Sequence, residues 1–262
     1  MKKYLFILIT LFVAGYLASK VQTSWGKVRV QSIKIPTQNG QWLVADLFKP
    51  VSANASNPSP LVIVVPGFQR SKETLSNISI ELSRRGIVTI AIDPYAQGLS
   101  SSSFSRRAAT KEGYGMFALV DYIYDTSILN YVDKDKIGVT GHSAGGLAAM
   151  RAAQHFGKLA KKNSTKSKIH SVFVSGMLRM GFKEKDLKNV KSNVGVSYAL
   201  YDEGAWQNEL KHGSLENAPE ILRLIYLQSK KENKINKVEM GKYYGSLNHN
   251  SATIIFNEKL LH

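Results

Sequence analysis

Short, mainly apolar runs recur along the chain and predict buried β-strands. The clearest are LVIVV at 61–65, IVTIAI at 87–92 and the mainly apolar KIGVT at 136–140. Runs of this length without polar interruption are typical of strands that are covered on both faces of a sheet. Later segments with the same strand-like character lie at 169–176, 194–200 and 237–244.

Amphipathic segments lie between these runs and predict helices. In residues 71–86 the apolar positions Leu75, Ile78 and Leu82 are spaced by three and four, and Gly86 closes the segment. Further helices are predicted over 113–130, from the small-residue stretch at 140–146 to about Phe156, within 213–230 and over 251–262.

The order of these elements predicts a single α/β domain. Strands that alternate with helices form a mostly parallel central sheet with helices on both faces. Two β-rich segments, 28–35 and 42–48, flank Asn39-Gly40, a strong hairpin signal, and predict an antiparallel hairpin at the N-terminal edge of the sheet. We expect the domain to span residues 25–262 and to place its functional site at the carboxyl ends of the parallel strands.

Residues 1–24 have a different pattern, which is that of a targeting segment. Lys2 and Lys3 precede YLFILITLFVAGYLA at 4–18, an uncharged and mainly apolar run that is short for a spanning helix of about 20 residues. This order predicts a signal peptide, but no good A-x-A cleavage site follows, and an uncleaved signal-anchor is the alternative. Both interpretations predict export of the domain across the cytoplasmic membrane, or its anchoring on the outer side.

The chain is strongly basic, with a formal net charge of +16 from 35 Lys and Arg against 19 Asp and Glu. Basic residues cluster at 158–168 and 229–237, without interleaved aromatic residues and without a nucleic-acid-binding motif, so we expect no nucleic-acid partner. The clusters fit a solvated lysine-rich surface, and an anionic membrane surface is the alternative partner.

Cysteine is absent, which excludes disulfides, thiolate metal sites and a cysteine nucleophile. The six histidines show no metal-ligand spacing and no H-E-x-x-H motif. The sequence therefore predicts neither a metal nor a cofactor, and it makes no prediction of the oligomeric state.

The strongest chemical signal is GHSAG at 141–145, which matches G-x-S-x-G. It follows a predicted strand and precedes an alanine-rich helical run, as this motif requires. Small neighbours permit the strained turn that exposes Ser143, and the N–H groups at the start of the following helix point toward negative charge that forms there. The alternative interpretation is a tight structural turn that contains a serine.

With this motif the chain resembles the α/β-hydrolase superfamily over nearly the whole predicted domain. LVIVVPGF at 61–68 is similar to the strand and loop that supply the oxyanion hole in that family. YVDKDKIGVTGHSAGG at 131–146 is similar to the family's approach to the nucleophile. AIDPYAQGLSSS at 91–102 is similar to its D-x-x-G-x-G-x-S loop.

The resemblance implies a catalytic triad in the chain order serine, acid, histidine. Ser143 is the nucleophile, and His249, after the last predicted strand, is the base that activates it. The acid is Asp202, which follows a predicted strand, with the adjacent Glu203 as the alternative. Asp93 follows an earlier strand, where acids of this fold are usually structural.

The resemblance also implies an oxyanion hole that is built from backbone N–H groups. Ala144, directly after the nucleophile, supplies one donor, and Phe68, after Pro66-Gly67, supplies the other. His142 is expected to point away from the nucleophile and to serve in packing or behind the reacting groups.

A short insertion at 177–193 predicts a minimal lid, because this fold usually carries its lid after the strand that follows the nucleophile's helix. Its apolar residues, Met177, Leu178, Met180 and Phe182, either form a partial cover over the site or pack against the sheet edge.

The leading functional hypothesis is a serine hydrolase that cleaves small carboxylic esters through an acyl-enzyme. Amide or thioester cleavage is a less favoured variant. A non-catalytic relative that binds a ligand or a partner at the cell surface is the main alternative, although all three triad positions are filled. The third hypothesis is a basic membrane-surface protein with incidental hydrolase features.

Overall fold

The computed structural model describes residues 2–177, 182–198, 238–241 and 251–255 of the chain. Within these ranges nine strands form one sheet in the order β1-β2-β4-β3-β5-β6-β7-β9-β8. The strands are β1 (Val28–Pro36), β2 (Trp42–Pro50), β3 (Ser59–Val65), β4 (Val88–Ile92), β5 (Val132–His142), β6 (Ser171–Ser175), β7 (Asn193–Tyr198), β8 (Val238–Gly241) and β9 (Ser251–Ile255).

Helices connect most of the strands. They are α1 (Lys2–Gln22), α2 (Ser76–Arg84), α3 (Ala108–Lys111), α4 (Met116–Asp125), α5 (Ala144–Asn163) and α6 (Glu184–Leu187). Short 3-10 turns at Gln38–Gly40, Lys72–Leu75 and Gly113–Gly115 complete the regular structure of the described ranges.

The sheet has a parallel centre and two antiparallel margins. Strands β4, β3, β5, β6 and β7 run parallel to one another. The hairpin of β1 and β2 joins β4 in antiparallel fashion at one margin, and β9 and β8 continue antiparallel beyond β7 at the other. The mostly parallel sheet and the N-terminal hairpin confirm the predicted fold class, whereas the sequence did not indicate the second antiparallel margin.

The parallel strands give the sheet two chemically different edges. We call the side where β3, β4, β5 and β6 end, at Val65, Ile92, His142 and Ser175, the carboxyl edge. The opposite side, where these strands begin, is the amino edge. Functional sites of open α/β sheets form at the carboxyl edge.

Helices cover both faces of the sheet, as predicted. Along β3 the neighbours Ile63 and Val64 belong to opposite apolar clusters, since successive side chains of a strand point to opposite faces. Ile78 of α2 packs on the side of Val64. Leu119 of α4 and Phe156 of α5 are buried with Ile63 on the other side.

Two helices differ in length from the prediction. The helix predicted to about Phe156 continues to Asn163, because buried Ala160 extends its apolar stripe, and Ser164 then adopts a left-handed conformation. The helix predicted over 113–130 ends at Asp125, because Thr126 turns to an extended conformation. Neither change alters the order of the elements.

The prediction of a helix over 251–262 is wrong for its first part. Residues 251–255 form β9, which pairs with both β7 and β8. The segment carries β-branched Thr253, Ile254 and Ile255, which favour a pleated strand between two neighbours over an isolated helix end. The helix predicted within 213–230 lies outside the described residues.

The N-terminal helix α1 is longer than the apolar run that predicted it. It has 21 residues, is apolar enough to cross a membrane and is exposed over nearly its whole length. At 1.5 Å per residue it measures about 30 Å, which matches the hydrocarbon core of a bilayer. A signal sequence near an N-terminus has the same properties, so this length fits both interpretations of the leader.

Candidate active site

Ser143 lies on a sharp turn between the last residue of β5 and the first residue of α5. Its backbone has φ 53° and ψ −121°, a region that non-glycine residues rarely adopt and that costs roughly 1–3 kcal/mol. Hydrogen bonds fix this conformation on both sides: the Ser143 N–H donates to the Ser175 carbonyl (2.9 Å), and the Ser143 carbonyl accepts from the Leu147 N–H (3.1 Å). The turn therefore holds the serine at the carboxyl edge of the sheet.

Close backbone packing explains why glycines flank this turn. A Cβ atom at Gly141 would overlap the backbone of Gly145, and a Cβ atom at Gly145 would overlap the carbonyls of Val65 and Pro66. A Cβ atom at Gly146 would lie 2.9 Å from a methyl group of Val174. The start of α5 thus lies directly against the ends of β3 and β5, which is possible only without side chains at these positions.

The loop after β3 lies next to Ser143, which is the position that the predicted oxyanion loop requires. A Cβ atom at Gly67 would lie 3.4 Å from the Ser143 Cβ. No described residue accepts a hydrogen bond from the backbone N–H of the following Phe68. Ala144 is the first residue of α5, and the first N–H groups of a helix have no acceptor within it. Both N–H groups that the sequence assigns to the oxyanion hole thus belong to segments that meet at Ser143.

A second loop at the carboxyl edge holds the oxyanion loop in place. The Arg70 N–H donates to the Gly67 carbonyl (3.3 Å) and also to Oε1 of Gln97 (2.9 Å). Gln69, which directly precedes Arg70 in this loop, has a positive φ of 55°. Gln97 therefore ties the loop after β4 to the loop that carries Phe68.

Asp93 is buried at the end of β4 and joins the same two loops. Its Oδ1 accepts from the Lys72 N–H (2.9 Å) and its Oδ2 accepts from the Leu99 N–H (3.1 Å). Gly98 has a φ of +54°, and a Cβ atom there would overlap the Asp93 carboxylate. Both oxygens of Asp93 thus accept backbone hydrogen bonds, which is the arrangement of a structural acid.

A buried ammonium group lies beside this carboxylate. Lys72 is 8% exposed, hydrogen-bonds Glu73 and lies 3.6 Å from Asp46. Burial opposes the charge of Lys72, but the hydrogen bond to Glu73 and the charges of Asp46 and Asp93 together raise its pKa. The hydrogen bonds from Lys72 and Ser71 lower the pKa of Glu73 to about 2. No local sequence pattern indicates this cluster, because its members come from separate loops and strands.

His142 lies beside the elbow with its ring near two glycines. A Cβ atom at Gly176 would lie 2.7 Å from its Nε2, and a Cβ atom at Gly67 would lie 3.6 Å from its Nδ1. The side chain is exposed and belongs to the last residue of β5. Its position between these two loops fits the predicted packing role.

The remaining triad residues lie outside the described residues. Asp202, Glu203 and His249 are not among them, so their assignment rests on the sequence. Strand β7, after which Asp202 follows, is described to Tyr198 and runs parallel to β6 toward the carboxyl edge. Among the described residues, no group of His, Asp and Glu side chains is arranged to hold a metal ion.

The described residues of the short insertion pack against the main apolar cluster and do not form a cover over the site. Phe182 is 2% exposed within the main apolar cluster, and the guanidinium of Arg151 lies over its ring at 4.1 Å. Met177 packs against the same cluster. Leu178 and Met180 lie outside the described residues.

This strand order, with a strained serine between β5 and α5 and the loop after β3 beside it, defines the α/β-hydrolase fold. Comparison with family models identifies the family within this fold. The chain belongs to the PET hydrolase-like family, whose model matches residues 15–172, more than half of the chain. None of the curated proteins compared with the chain matches it significantly.

Solved structures of several esterases are similar to this chain. A hyperthermophilic esterase from the archaeon Pyrobaculum calidifontis is 24% identical over 56% of this chain and 43% of its own, with a TM-score of 0.43. Est1E from Butyrivibrio proteoclasticus, solved with ferulic acid, is 25% identical over 55% of this chain and 51% of its own, also with a TM-score of 0.43. The chain therefore spans about half the length of these proteins.

Proposed function

We propose that the protein is a serine hydrolase that cleaves carboxylic esters through an acyl-enzyme on Ser143. The observation that carries the proposal is the backbone of Ser143, at φ 53° and ψ −121° between β5 and α5. A structural turn with a serine has no need of this strain, whereas a nucleophile gains exposure and alignment from it. Membership of a hydrolase family supports the same reaction.

The reaction proceeds in two half-steps. His249 takes the proton of the Ser143 hydroxyl as the oxygen attacks the ester carbonyl carbon, and Asp202 stabilises the imidazolium that forms. The tetrahedral oxyanion accepts hydrogen bonds from the N–H groups of Phe68 and Ala144. The alcohol leaves with the proton from His249, and water, activated by the same histidine, then releases the acid and restores Ser143.

The fixed position of the oxyanion loop supports rapid acylation. Hydrogen-bond donors that are held in place before the reaction avoid reorganisation when charge develops, and one such donor is worth about 10²–10³ in kcat. Gln97 and Asp93 supply this fixation through the N–H groups of Arg70 and Lys72. No metal or cofactor is required for these steps.

The test is covalent labelling with a fluorophosphonate, which phosphonylates activated serines with loss of fluoride, followed by mapping of the modified residue. We expect modification at Ser143 and a loss of hydrolysis to the background rate in Ser143→Ala. Ser56→Ala is the matched control, because Ser56 is exposed in the loop at the amino edge, far from the elbow. Absence of labelling in a folded preparation would favour the ligand-binding alternative instead.

We further propose that α1 either directs export or remains as an anchor, with the domain on the outer side of the membrane. Lys2 and Lys3 before the apolar helix support this orientation. A reporter fused after residue 262 that is active only outside the cytoplasm is the expected result. Activity only in the cytoplasm would mean that Lys20 and Lys27, on the far side of the helix, set the opposite orientation.

A further inference from the structure

We propose that the amino edge of the domain is a docking surface for the anionic phospholipid headgroups of the membrane that α1 occupies. The docking turns the carboxyl edge, with Ser143, away from the bilayer. The inference rests on the proposed anchoring by α1 but not on catalysis. It assigns a partner to one edge of the sheet and restricts the substrate to esters that arrive from the aqueous side.

The register of the first strands fixes the edge at which α1 joins the domain. Val28 of β1 pairs with Pro50 at the end of β2. Phe48 of β2 pairs with Thr89 near the start of β4, and Ala45 pairs with Ile92 at the end of β4. Strand β1 therefore begins at the amino edge and runs toward the carboxyl edge, and α1 meets the domain at the amino edge.

The connection between α1 and β1 is short and hydrogen-bonded. The Trp25 N–H donates to the Lys20 carbonyl (2.7 Å), and the Val28 N–H donates to the Thr23 carbonyl (3.0 Å). From the domain side, Nη2 of Arg84 at the end of α2 donates to the Val21 carbonyl (2.6 Å). The end of α1 is therefore joined to the domain by a hydrogen-bonded turn and by the contact with Arg84. These contacts hold it against the amino edge.

Basic residues gather at this junction. Lys20 and Lys27 lie on either side of the turn, and Arg84 and Arg85 end α2 beside it. Glu81 offsets part of this charge, with its Oε1 at 2.7 Å from Nη2 of Arg85. The balance at the junction remains positive, which suits anionic headgroups.

An exposed indole lies at the same place. Trp25 is 66% exposed, directly after α1 and before β1. Tryptophan is enriched where the hydrocarbon core meets the headgroups, because its ring is apolar and its N–H is polar. A membrane helix that ends at Gln22 places Trp25 at that depth.

The positive surface continues along the amino edge. Helix α5 begins at the carboxyl edge and leads into β6, so its last residues lie at the amino edge. The exposed Lys161 and Lys162 in its last turn therefore lie at the amino edge, within the basic cluster at 158–168. Two acidic side chains of this edge are paired with lysines, since Asp121 lies 2.7 Å from Lys168 and Asp133 lies 3.1 Å from Lys136. Exposed Asp125 and Asp135 form no ion pair with a described residue and offset part of the positive charge of the edge.

The position of the active site follows from this docking. Strand β1 crosses the sheet in nine residues, which corresponds to about 30 Å. Ser143 lies at the carboxyl edge, so the domain itself separates it from the headgroups that contact the amino edge. Lipids of the anchoring membrane are then out of reach, and the substrate is an ester in solution or on an opposing surface.

The test uses single cysteines, since the natural chain has none. The full chain is reconstituted in vesicles of equal parts phosphatidylcholine and phosphatidylglycerol with a headgroup-attached quencher. One variant, Val51→Cys, labels the amino edge, where Val51 is 51% exposed and its N–H bonds the Lys27 carbonyl. The other, Phe104→Cys, labels the loop after β4 at the carboxyl edge, where Phe104 is 72% exposed.

We expect headgroup quenching of a fluorophore at position 51 to exceed that at position 104 several-fold. Equal quenching at the two positions, or stronger quenching at 104, would overturn the proposal. Replacing phosphatidylglycerol by phosphatidylcholine is expected to reduce the difference, because the attraction depends on lipid charge.

A charge-matched pair of variants separates local docking from net charge. The triple variant Lys27→Gln, Lys161→Gln, Lys162→Gln removes three charges from the amino edge and is expected to lower quenching at position 51. The control Arg106→Gln, Arg107→Gln, Lys111→Gln removes three charges from the connection between β4 and α4 at the carboxyl edge. We expect this control to leave quenching at position 51 unchanged. Equal effects of the two triples would contradict docking by the amino edge.

Failure of this inference is distinguishable from failure of the proposed function. Quenching does not require hydrolysis, so an inactive protein can still dock. If the chain is recovered only in the soluble fraction and has lost residues 1–24, the docking proposal falls, while ester hydrolysis by the released domain stands.

Discussion

At the scale of the residue, the elbow is the feature that sequence reasoning located best. The spacing G-x-S-x-G predicts a strained serine because only small neighbours fit around it, and the overlaps at Gly141 and Gly145 supply the physical reason. The contacts of Gln97 and Lys72 were not predictable in the same way. Each depends on a partner that is distant in sequence, and no local pattern indicates which loops meet.

The identity of the triad acid gives a prediction at this scale. We expect Asp202→Asn to lower kcat by about 10⁴-fold, because an amide leaves the base in the wrong tautomer and its charge unsupported. Glu203→Gln is the matched control and is expected to retain most of the activity. The comparison of kcat for a soluble aryl ester in the two purified variants checks this. A severe loss only in the Glu203 variant would reverse the assignment.

His155 provides a pH-dependent prediction. Burial lowers its pKa; the negative charge of Asp121 opposes this shift and the positive charge of Lys158 adds to it. Its ring also stacks on Phe117 at 4.3 Å. The unfolded chain therefore binds a proton more readily than the native one, and stability is lost as the pH falls below the ordinary histidine pKa of about 6.5.

We accordingly expect the free energy of unfolding to decrease between neutral and mildly acidic pH, and His155→Phe to show a smaller decrease. Phenylalanine keeps the stacked ring and removes the titrating group. Urea unfolding of both proteins at the two pH values measures the difference. Identical decreases in the two proteins would show that the protonation of His155 does not contribute.

At the scale of the element, apolar runs predicted the central strands well because strands covered on both faces need continuous apolar side chains. The runs at 61–65 and 87–92 match β3 and β4 to within two residues. The misassigned segment at 251–255 is short and β-branched, and its neighbours β7 and β8 determine its conformation. Pairing with distant strands is information that a local pattern does not contain.

The two loops held by Asp93 give a prediction about elements rather than single side chains. Asp93→Asn replaces one acceptor oxygen by an amide NH₂, which then faces the N–H of Lys72 or Leu99. An unsatisfied buried group of this kind costs about 1–3 kcal/mol of stability. We expect a loss of that size in urea unfolding, together with a moderate fall in kcat from displacement of the oxyanion loop.

The same variant tests the structural assignment of Asp93 against a catalytic one. A triad acid would lose about 10⁴-fold in kcat on conversion to asparagine. Such a loss with unchanged stability would move the acid of the triad from Asp202 to Asp93. The combination of both measurements on one protein therefore decides between a residue that holds loops and one that supports a base.

At the scale of the whole molecule, the two edges of the sheet carry the two proposed roles, ester hydrolysis at the carboxyl edge and membrane contact at the amino edge. The sequence predicted one α/β domain and a basic surface, but it did not show on which edge the charges gather. That distribution depends on the direction of each helix between its strands, as for Lys161 and Lys162 at the end of α5. The direction of α5 thus places these lysines at the amino edge, opposite the carboxyl edge that carries Ser143.

The described residues provide little cover over the carboxyl edge, which predicts a preference for short acyl groups. Between Ser175 and Asn193 the described residues contain one four-residue helix, and Phe182 is buried in the core instead of forming a wall. Exposed Arg106 and Arg107 line the other connection at this edge and offer no apolar tunnel. An acyl chain that extends beyond the first few carbons would then remain in water.

A series of aryl esters with increasing acyl length measures this on the domain without residues 1–24. Each methylene buried in an apolar tunnel contributes about 0.8 kcal/mol, so kcat/KM would rise by up to roughly fourfold per carbon in a covered site. We expect kcat/KM to reach its maximum at short chains and to stay level or fall thereafter, with Ser143→Ala as the blank for spontaneous hydrolysis. A continuous rise to long chains would require a cover over the site, and residues 178–181 and those after Tyr198, which lie outside the described residues, would have to supply it.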